Sequence, residues 1–420
     1  MKILHLTDHL PEYHQPWGGA EKVAYRHISA LIEKEKKWKF FVGTTKTLKE
    51  VKEKFKYIRV WTIEDFFPKR FHLYITGFKN QVFPFDPITF FSTYINVRKI
   101  MPDVIHIHKA NKISFAPVLV GKLLGIPVVL AIYDYWYFCP GAMLIDEEAN
   151  SCHRFHGIWC SSCTATKKFG FTVKITSLYR RPLFDFFFSM ISAFLVLSES
   201  NVRLLSEYGI DKKKIFVVRQ LFYPPKEKIK NKIREGDIYM NAWMAPHKGV
   251  HIVVQSFAEV LKKVPQARLY LETKVLDPVY EAKIKKMIKK LKIENHVDIF
   301  ERKTVADYIE RIQKANVVVV AEQWENMAPT TLSDSMSQGK PVVASNIGGL
   351  PEMVEDGKSG LLANSGEPKD FADKIVRIIK SPSLAASLAK NAPKSIEKLG
   401  SLKNIQKQLL QLYASVSSSN

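Results

Sequence analysis

The residues best suited to chemistry fall on widely separated stretches. In the stretch from Val317 to Leu361, four valines lead into a polar loop carrying Glu322, Glu325 and Asn326. Pro329 suits the first turn of the helix that follows, which should run to about Gln338 and stop at Gly339. An apolar strand from Pro341 to Ala344 comes next, then a turn with Gly348 and Gly349 ahead of Pro351 and Glu352. An acidic loop at the C-terminal end of a buried strand is where an open α/β sheet holds a ligand. The N–H groups of helix starts and a paired-glycine turn suit an anion such as a diphosphate. Lys248, beside His247, stands at the start of another helical stretch. A lysine there opposes the helix dipole unless an anion is bound, and a fixed cation stabilises a departing diphosphate. Cys139, Cys152, Cys160 and Cys163 are the chain's four cysteines, spaced C-x12-C-x7-C-x2-C. Thiols so clustered suit a tetrahedral structural zinc, with an iron–sulfur centre or reduced thiols as open alternatives.

Alternating strands and helices must position these groups. Residues 2–7 read as a strand, followed by Gly18, Gly19 and a helix with Ala24, Ile28, Leu31 and Ile32 at helical spacing. DVIHIH, KISFAPVLVGKLLG and IPVVLAIYD then read as strand, helix and strand. That rhythm requires a parallel sheet. The lysine-rich segment Arg219–Glu235, with Pro224-Pro225, reads as a linker. Alternation resumes at IYMNAW and continues into the valine strand. The expected fold is α/β, with two doubly wound, Rossmann-like domains over 1–220 and 236–383. A helical segment over 384–420 is expected to cross back to the first.

Four stretches resemble the family 4 glycosyltransferases, which have the GT-B fold. They are GGAEK (18–22), YDYWYFCP (133–140), NAWMAPHKGVH (241–251) and the run from Gly339 through PVVA and GGLPE to DGKSG. The resemblance implies two domains facing a central cleft. It also implies retaining transfer of a hexose from a UDP- or GDP-type sugar to a glycan or lipid-linked acceptor, with no cofactor or divalent metal required for the chemistry. It assigns the diphosphate to Lys248 with His247, the transferred sugar to Glu325, and the ribose to Asp334. Asn326, Gly348, Gly349 and Glu352 complete the donor site, and Gly18, Gly19 and Glu21 form the acceptor-side loop. Tyr133 stands where the family carries a histidine facing the donor sugar. The cysteine-bearing loop, 134–168, looks like one found in a subset of these transferases. Ala242-Trp243 replaces the expected Gly-Arg, with Arg302 or His247 as substitutes for the missing cation. Tyr133, Trp243 and Asp334 together keep a second reading open, that of a GT-B protein without catalysis serving as a binding or assembly subunit.

The composition, 46% hydrophobic and 25% charged, is that of a globular enzyme. No apolar run approaches the roughly 20 residues of a membrane span, and Met1-Lys2 leads directly into a strand. A cytoplasmic protein is expected, with any membrane contact peripheral. The net charge of +22 suits an anionic partner, and no nucleic-acid module accompanies it. Segment 57–101 is crowded with aromatics and holds Lys69, Arg70 and Lys79. It reads either as an insertion packed into the core or as a surface for an anionic bilayer. Arg180 and Arg181, beside an aromatic helix, are expected to meet headgroups.

Overall fold

Apolar runs such as Val128–Ala131 and Val317–Val320 are buried along their whole length, as strands covered on both faces must be. The computed structural model describes residues 1–11, 14, 19–47, 55–145, 152–153, 155–161, 174–222, 233–275, 277–301 and 304–417. The chain divides into unit 1, residues 1–221 with 402–420, and unit 2, residues 222–401. Unit 1 comprises β1 (Lys2–Thr7), α1 (Gly19–Lys34), β2 (Lys39–Thr44), β3 (Lys56–Arg59), α2 (Lys69–Gln81), α3 (Pro87–Ile100) and β4 (Val104–Ile107). It continues with α4 (Ala116–Leu124), β5 (Val128–Ala131), α5 (Arg180–Ser189), β6 (Ala193–Val196), α6 (Glu199–Glu207) and β7 (Ile215–Val217). Its sheet is parallel, in the order β3-β2-β1-β4-β5-β6-β7. The order reverses between β1 and β4, where His5 is in register with His106.

Unit 2 comprises β8 (Asp237–Met244), α7 (Val250–Lys263), β9 (Arg268–Val275), α8 (Pro278–Leu291), β10 (Val297–Phe300), α9 (Val305–Lys314) and β11 (Val317–Val320). α10 (Thr330–Ser337), β12 (Val342–Ser345), α11 (Leu350–Met353), β13 (Leu361–Ala363), α12 (Pro368–Lys380) and α13 (Pro382–Gly400) follow. The sheet is again parallel, ordered β10-β9-β8-β11-β12-β13, and reverses between β8 and β11. The two-residue period of a strand divides β11 between two cores. Val317 and Val319 meet α7, α8 and α12, whereas Val318 and Val320 meet α9, α10 and α13. Gly339, at φ +66°, ends α10. The segment beyond residue 384 is shared: α13 lies in unit 2, and α14 (Leu402–Ser417) packs on α1 in unit 1.

Several surface expectations change. Lys79 is buried, with its ammonium 2.7 Å from Glu64, 2.8 Å from Asp86 and 2.7 Å from the Lys112 carbonyl oxygen. Asp86 also caps α3, accepting the Ile88 and Thr89 N–H groups. Arg180 is buried too. It donates to the carbonyls of Asn80 and Trp136 and lies over the Phe184 ring, so it cannot meet headgroups. Arg181 pairs with Asp185 at 2.8 Å. The aromatics of segment 57–101, in contrast, are largely not core: Trp61, Phe66, Phe71, Tyr74, Phe78 and Phe91 are all exposed. Among the described residues no helix is long and apolar enough to cross a membrane.

Candidate active site

In unit 2 the chain leaves β8 through a single turn, Pro246–Lys248, at the point where the strand order reverses. The Lys248 ammonium lies 2.9 and 3.1 Å from the two carboxylate oxygens of Glu322, just beyond β11. It also sits 5.2 Å from the ring centre of Trp324, whose indole N–H donates to Glu322 at 2.5 Å. The anion that answers a lysine at this helix start is therefore a carboxylate of the protein itself. Gly249 makes the approach possible. Its φ is +69°, and a Cβ there would stand 1.9 Å from the Ala321 carbonyl oxygen. The His247 ring packs edge-on to Trp324, and its carbonyl accepts the Gln323 N–H at 2.8 Å. Burial, then Lys248, lowers the His247 imidazole to about 3, so it is neutral and supplies no second cation. Trp243, in place of the expected arginine, is exposed, and Arg302 lies outside the described residues.

The acidic loop is stitched to the glycine turn. Gly348 has φ +59°, and a Cβ there would lie 2.6 Å from the Asn326 carbonyl oxygen. That same oxygen accepts the Gly349 N–H at 2.8 Å. The Gly349 amide, expected to face an anion, is thus occupied inside the protein. Glu325 is buried and Glu352 half-buried. Asp334, on α10, accepts the Tyr308 hydroxyl at 3.2 Å. On the α9 face, Glu272 is buried between the Tyr239 hydroxyl (3.0 Å) and the Asn241 amide (2.6 Å). It lines a cavity of about 560 Å³ that contains none of the residues expected to hold the donor.

In unit 1 the charged groups again gather at the switch point. Glu21, buried on the first turn of α1, takes the Lys109 ammonium at 2.5 Å. Burial alone would lower Lys109, but the Glu21 and Asp8 carboxylates raise it. Burial pushes Asp8 up to about 6 against the pull of Lys109 and Lys112. Burial also raises Asp134, which caps the Trp136 N–H. Tyr133 is half-buried, with its hydroxyl 3.0 Å from His108 Nδ1. Gly19 opens α1, and Gly18 lies outside the described residues.

Cys139 and Cys152 are half-buried and Cys160 is buried, none of the three in a disulfide, and Cys163 lies outside the described residues. Among the described residues the potential metal ligands that converge are not these thiols. They are His5, His106 and His108, whose donor atoms lie within 4.8 Å of one another.

Residues 17–220 match the family described as Glycosyltransferase Family 4, and residues 225–395 match Glycosyl transferases group 1. The chain is a family 4, group 1 glycosyltransferase. Over 164 residues it is 28% identical to an uncharacterized glycosyltransferase of Methanocaldococcus jannaschii, covering 37% of this chain and 43% of that one. Over 181 residues it is 27% identical to the D-inositol 3-phosphate glycosyltransferase of Corynebacterium urealyticum, covering 40% of each. These matches span about two-fifths of the relatives' length. Sucrose-phosphate synthase of Thermosynechococcus elongatus superposes with a TM-score of 0.72 at 18% identity, covering 100% of both chains. Anabaena HepE in complex with UDP gives 0.70 at 17%, covering 99% of this chain and 100% of that one. The fold is accordingly GT-B.

Within this glycosyltransferase, sequence reasoning missed Glu322 as the partner of Lys248, and missed Asp8, His108 and Lys109 altogether as site residues. A usable signal existed. Asp8, His108 and Lys109 follow directly on β1 and β4, the strands flanking the reversal, where ligands gather in such sheets.

Proposed function

We propose that this glycosyltransferase moves a hexose from a nucleotide-diphosphate sugar to a glycan or lipid-linked acceptor, with retention of configuration and no divalent metal. The observation that carries the reading is Lys248, held at the β8–β11 switch point by Glu322 and Trp324. The ammonium, fixed by Glu322, shares its charge with that carboxylate and with the charge developing on the departing diphosphate. Glu325 orients the transferred sugar and Asp334 the ribose, the latter with its carboxylate steadied by Tyr308. Tyr133 offers a hydroxyl to the donor. The leaving phosphate takes the acceptor proton. Calorimetric titration with UDP and GDP, followed by turnover of the matching sugar nucleotides, tests this. Absence of binding by either nucleotide at millimolar concentration would sink it.

The lipid-linked acceptor is reached at an anionic bilayer through α2, α3 and the turn before them. Phe71, Tyr74 and Phe78 recur along one face of α2, with Lys69, Arg70, Arg98 and Lys99 exposed nearby. Co-sedimentation should require anionic lipid and weaken at high salt. Equal recovery in the supernatant with and without such vesicles would remove this part. The cysteines hold a structural zinc or iron–sulfur group through Cys139, Cys152, Cys160 and Cys163. Protein purified without chelator should carry near-stoichiometric metal. Four freely titrating thiols on metal-free, equally stable protein would reject it.

A further inference from the structure

His5, His106 and His108 are fully buried, their ring centres 4.0 to 5.5 Å apart. His5 Nδ1 lies 3.0 Å from His108 Nε2, and His108 Nδ1 lies 3.0 Å from the Tyr133 hydroxyl. His106 Nδ1 lies 2.7 Å from the Tyr413 hydroxyl, brought by α14. The remaining nitrogens, Nε2 of His5 and Nε2 of His106, are buried with no hydrogen-bond partner among the described residues. All three rings are neutral, because burial lowers their basicity and each has cationic-capable histidine neighbours. A neutral imidazole carries one N–H and one bare lone pair. Burying an unpaired N–H is the rarer and costlier arrangement, so the bare lone pair belongs on each orphaned Nε2. That choice fixes everything else. His5 carries its proton on Nδ1 and donates it to His108 Nε2. His108 then carries its proton on Nδ1 and donates it to the Tyr133 oxygen.

We propose that His5 and His108 form a one-way hydrogen-bond relay that fixes Tyr133 as a donor, so that its hydroxyl selects a bare oxygen acceptor, a phosphate or sugar oxygen, on the ligand. The ligand part rests on the donor-binding reading above; the polarity of the relay does not. His108 and His5 are positioning residues, acting only through Tyr133. The reverse polarity would place an unpaired N–H on His5 Nε2, and a ligand hydroxyl donating to Tyr133 would compete with His108.

Two-bond proton–nitrogen spectra of protein labelled with 15N-histidine, assigned with single His→Gln variants, read the tautomers directly and need no substrate. Protonated Nδ1 on His5, His106 and His108 near pH 7 is the expected result. Protonated Nε2 on His5 overturns the relay. So does near-stoichiometric zinc that is lost in His106→Gln and in His108→Gln, since a metal held by all three rings would take the His108 lone pair that accepts from His5. With a sugar nucleotide that turns over, Tyr133→Phe and His108→Leu should each lower turnover roughly ten-fold, the value of one hydrogen bond to a polar ligand. The double variant should be no worse than either, and His108→Asn, which keeps a donor toward Tyr133, should recover most activity. Additive losses, or an Asn variant no better than Leu in protein of wild-type thermal stability, would refute it. Weaker UDP binding by Tyr133→Phe assigns the acceptor oxygen to phosphate. Unchanged UDP binding with weaker sugar-nucleotide binding assigns it to the sugar.

Discussion

The two switch points of this chain share an ion pair and differ in what stands behind it. Between β8 and β11, polar function is delivered by a charged pair, Lys248 and Glu322, with side chains 17% and 7% exposed. Between β1 and β4 a charged pair, Glu21 with Lys109, is backed by neutral imidazoles with no exposure to speak of, ending in a phenol. The rim of a sheet tolerates charge because water and ligand reach it. The sheet interior favours groups that are neutral or fully hydrogen-bonded, and histidine is an ionisable side chain that burial readily holds neutral. The same topology therefore supports a site for ionic attraction and a site for directed hydrogen bonding.

Acid should separate the two most strongly. The depressed basicity of His5 (about 3) and His27 (about 4) contributes stability that is present above pH 6.5 and lost as pH falls toward those values. His5 alone is worth about 5 kcal/mol at the limit. Asp8, raised to about 6, acts with the opposite sign: its contribution of about 3 kcal/mol is full below pH 3.8 and lost as pH rises through 6. In unit 2 His247, lowered to about 3, acts in the same direction, but unit 1 fully buries four such rings, His5, His27, His106 and His108, so thermal melts between pH 7 and 4 should show unit 1 failing before unit 2. Simultaneous loss of both units would break the contrast.

Lys248→Ala should lower turnover by about a hundred-fold or more, as removal of a fixed transition-state charge does. Unchanged turnover would move the phosphate cation elsewhere. In stability, Lys248→Met should cost unit 2 about 3 kcal/mol by leaving Glu322 buried without its cation. The double change Lys248→Met with Glu322→Gln should recover most of that in denaturant melts. The smallest effect expected is from Tyr308→Phe, which removes the hydroxyl on Asp334. About 1 kcal/mol, read as weaker nucleotide binding with little change in turnover, would fit a carboxylate merely steadied.

What the sequence made legible was local. Four valines in a row require a strand buried on both faces, and Gly339 after a helical run requires a stop; both readings hold. The parallel, doubly wound order follows from strands alternating with helices. What stayed hidden depended on distant partners. Lys79 and Arg180 read as surface charge because a sequence shows charge and not burial. Their partners, Glu64, Asp86, Asn80 and Trp136, are set only once helices and loops close around them. The relay was hidden for the same reason. His106 and His108 are two apart at the end of β4, but their meaning comes from His5 on β1 and Tyr133 just after β5. The orphaned Nε2 atoms exist only in three dimensions.

The placement of α14 bears on biosynthesis. Unit 2 is one continuous segment, so all its strands are available to pair before the final helix is made. Unit 1 is not: the helix that carries Tyr413 to His106 is translated after the whole of unit 2. During synthesis the first sheet must therefore wait with the α1 surface uncovered while the later unit folds. A pause or a premature stop near residue 401 would leave a finished second unit attached to an unfinished first.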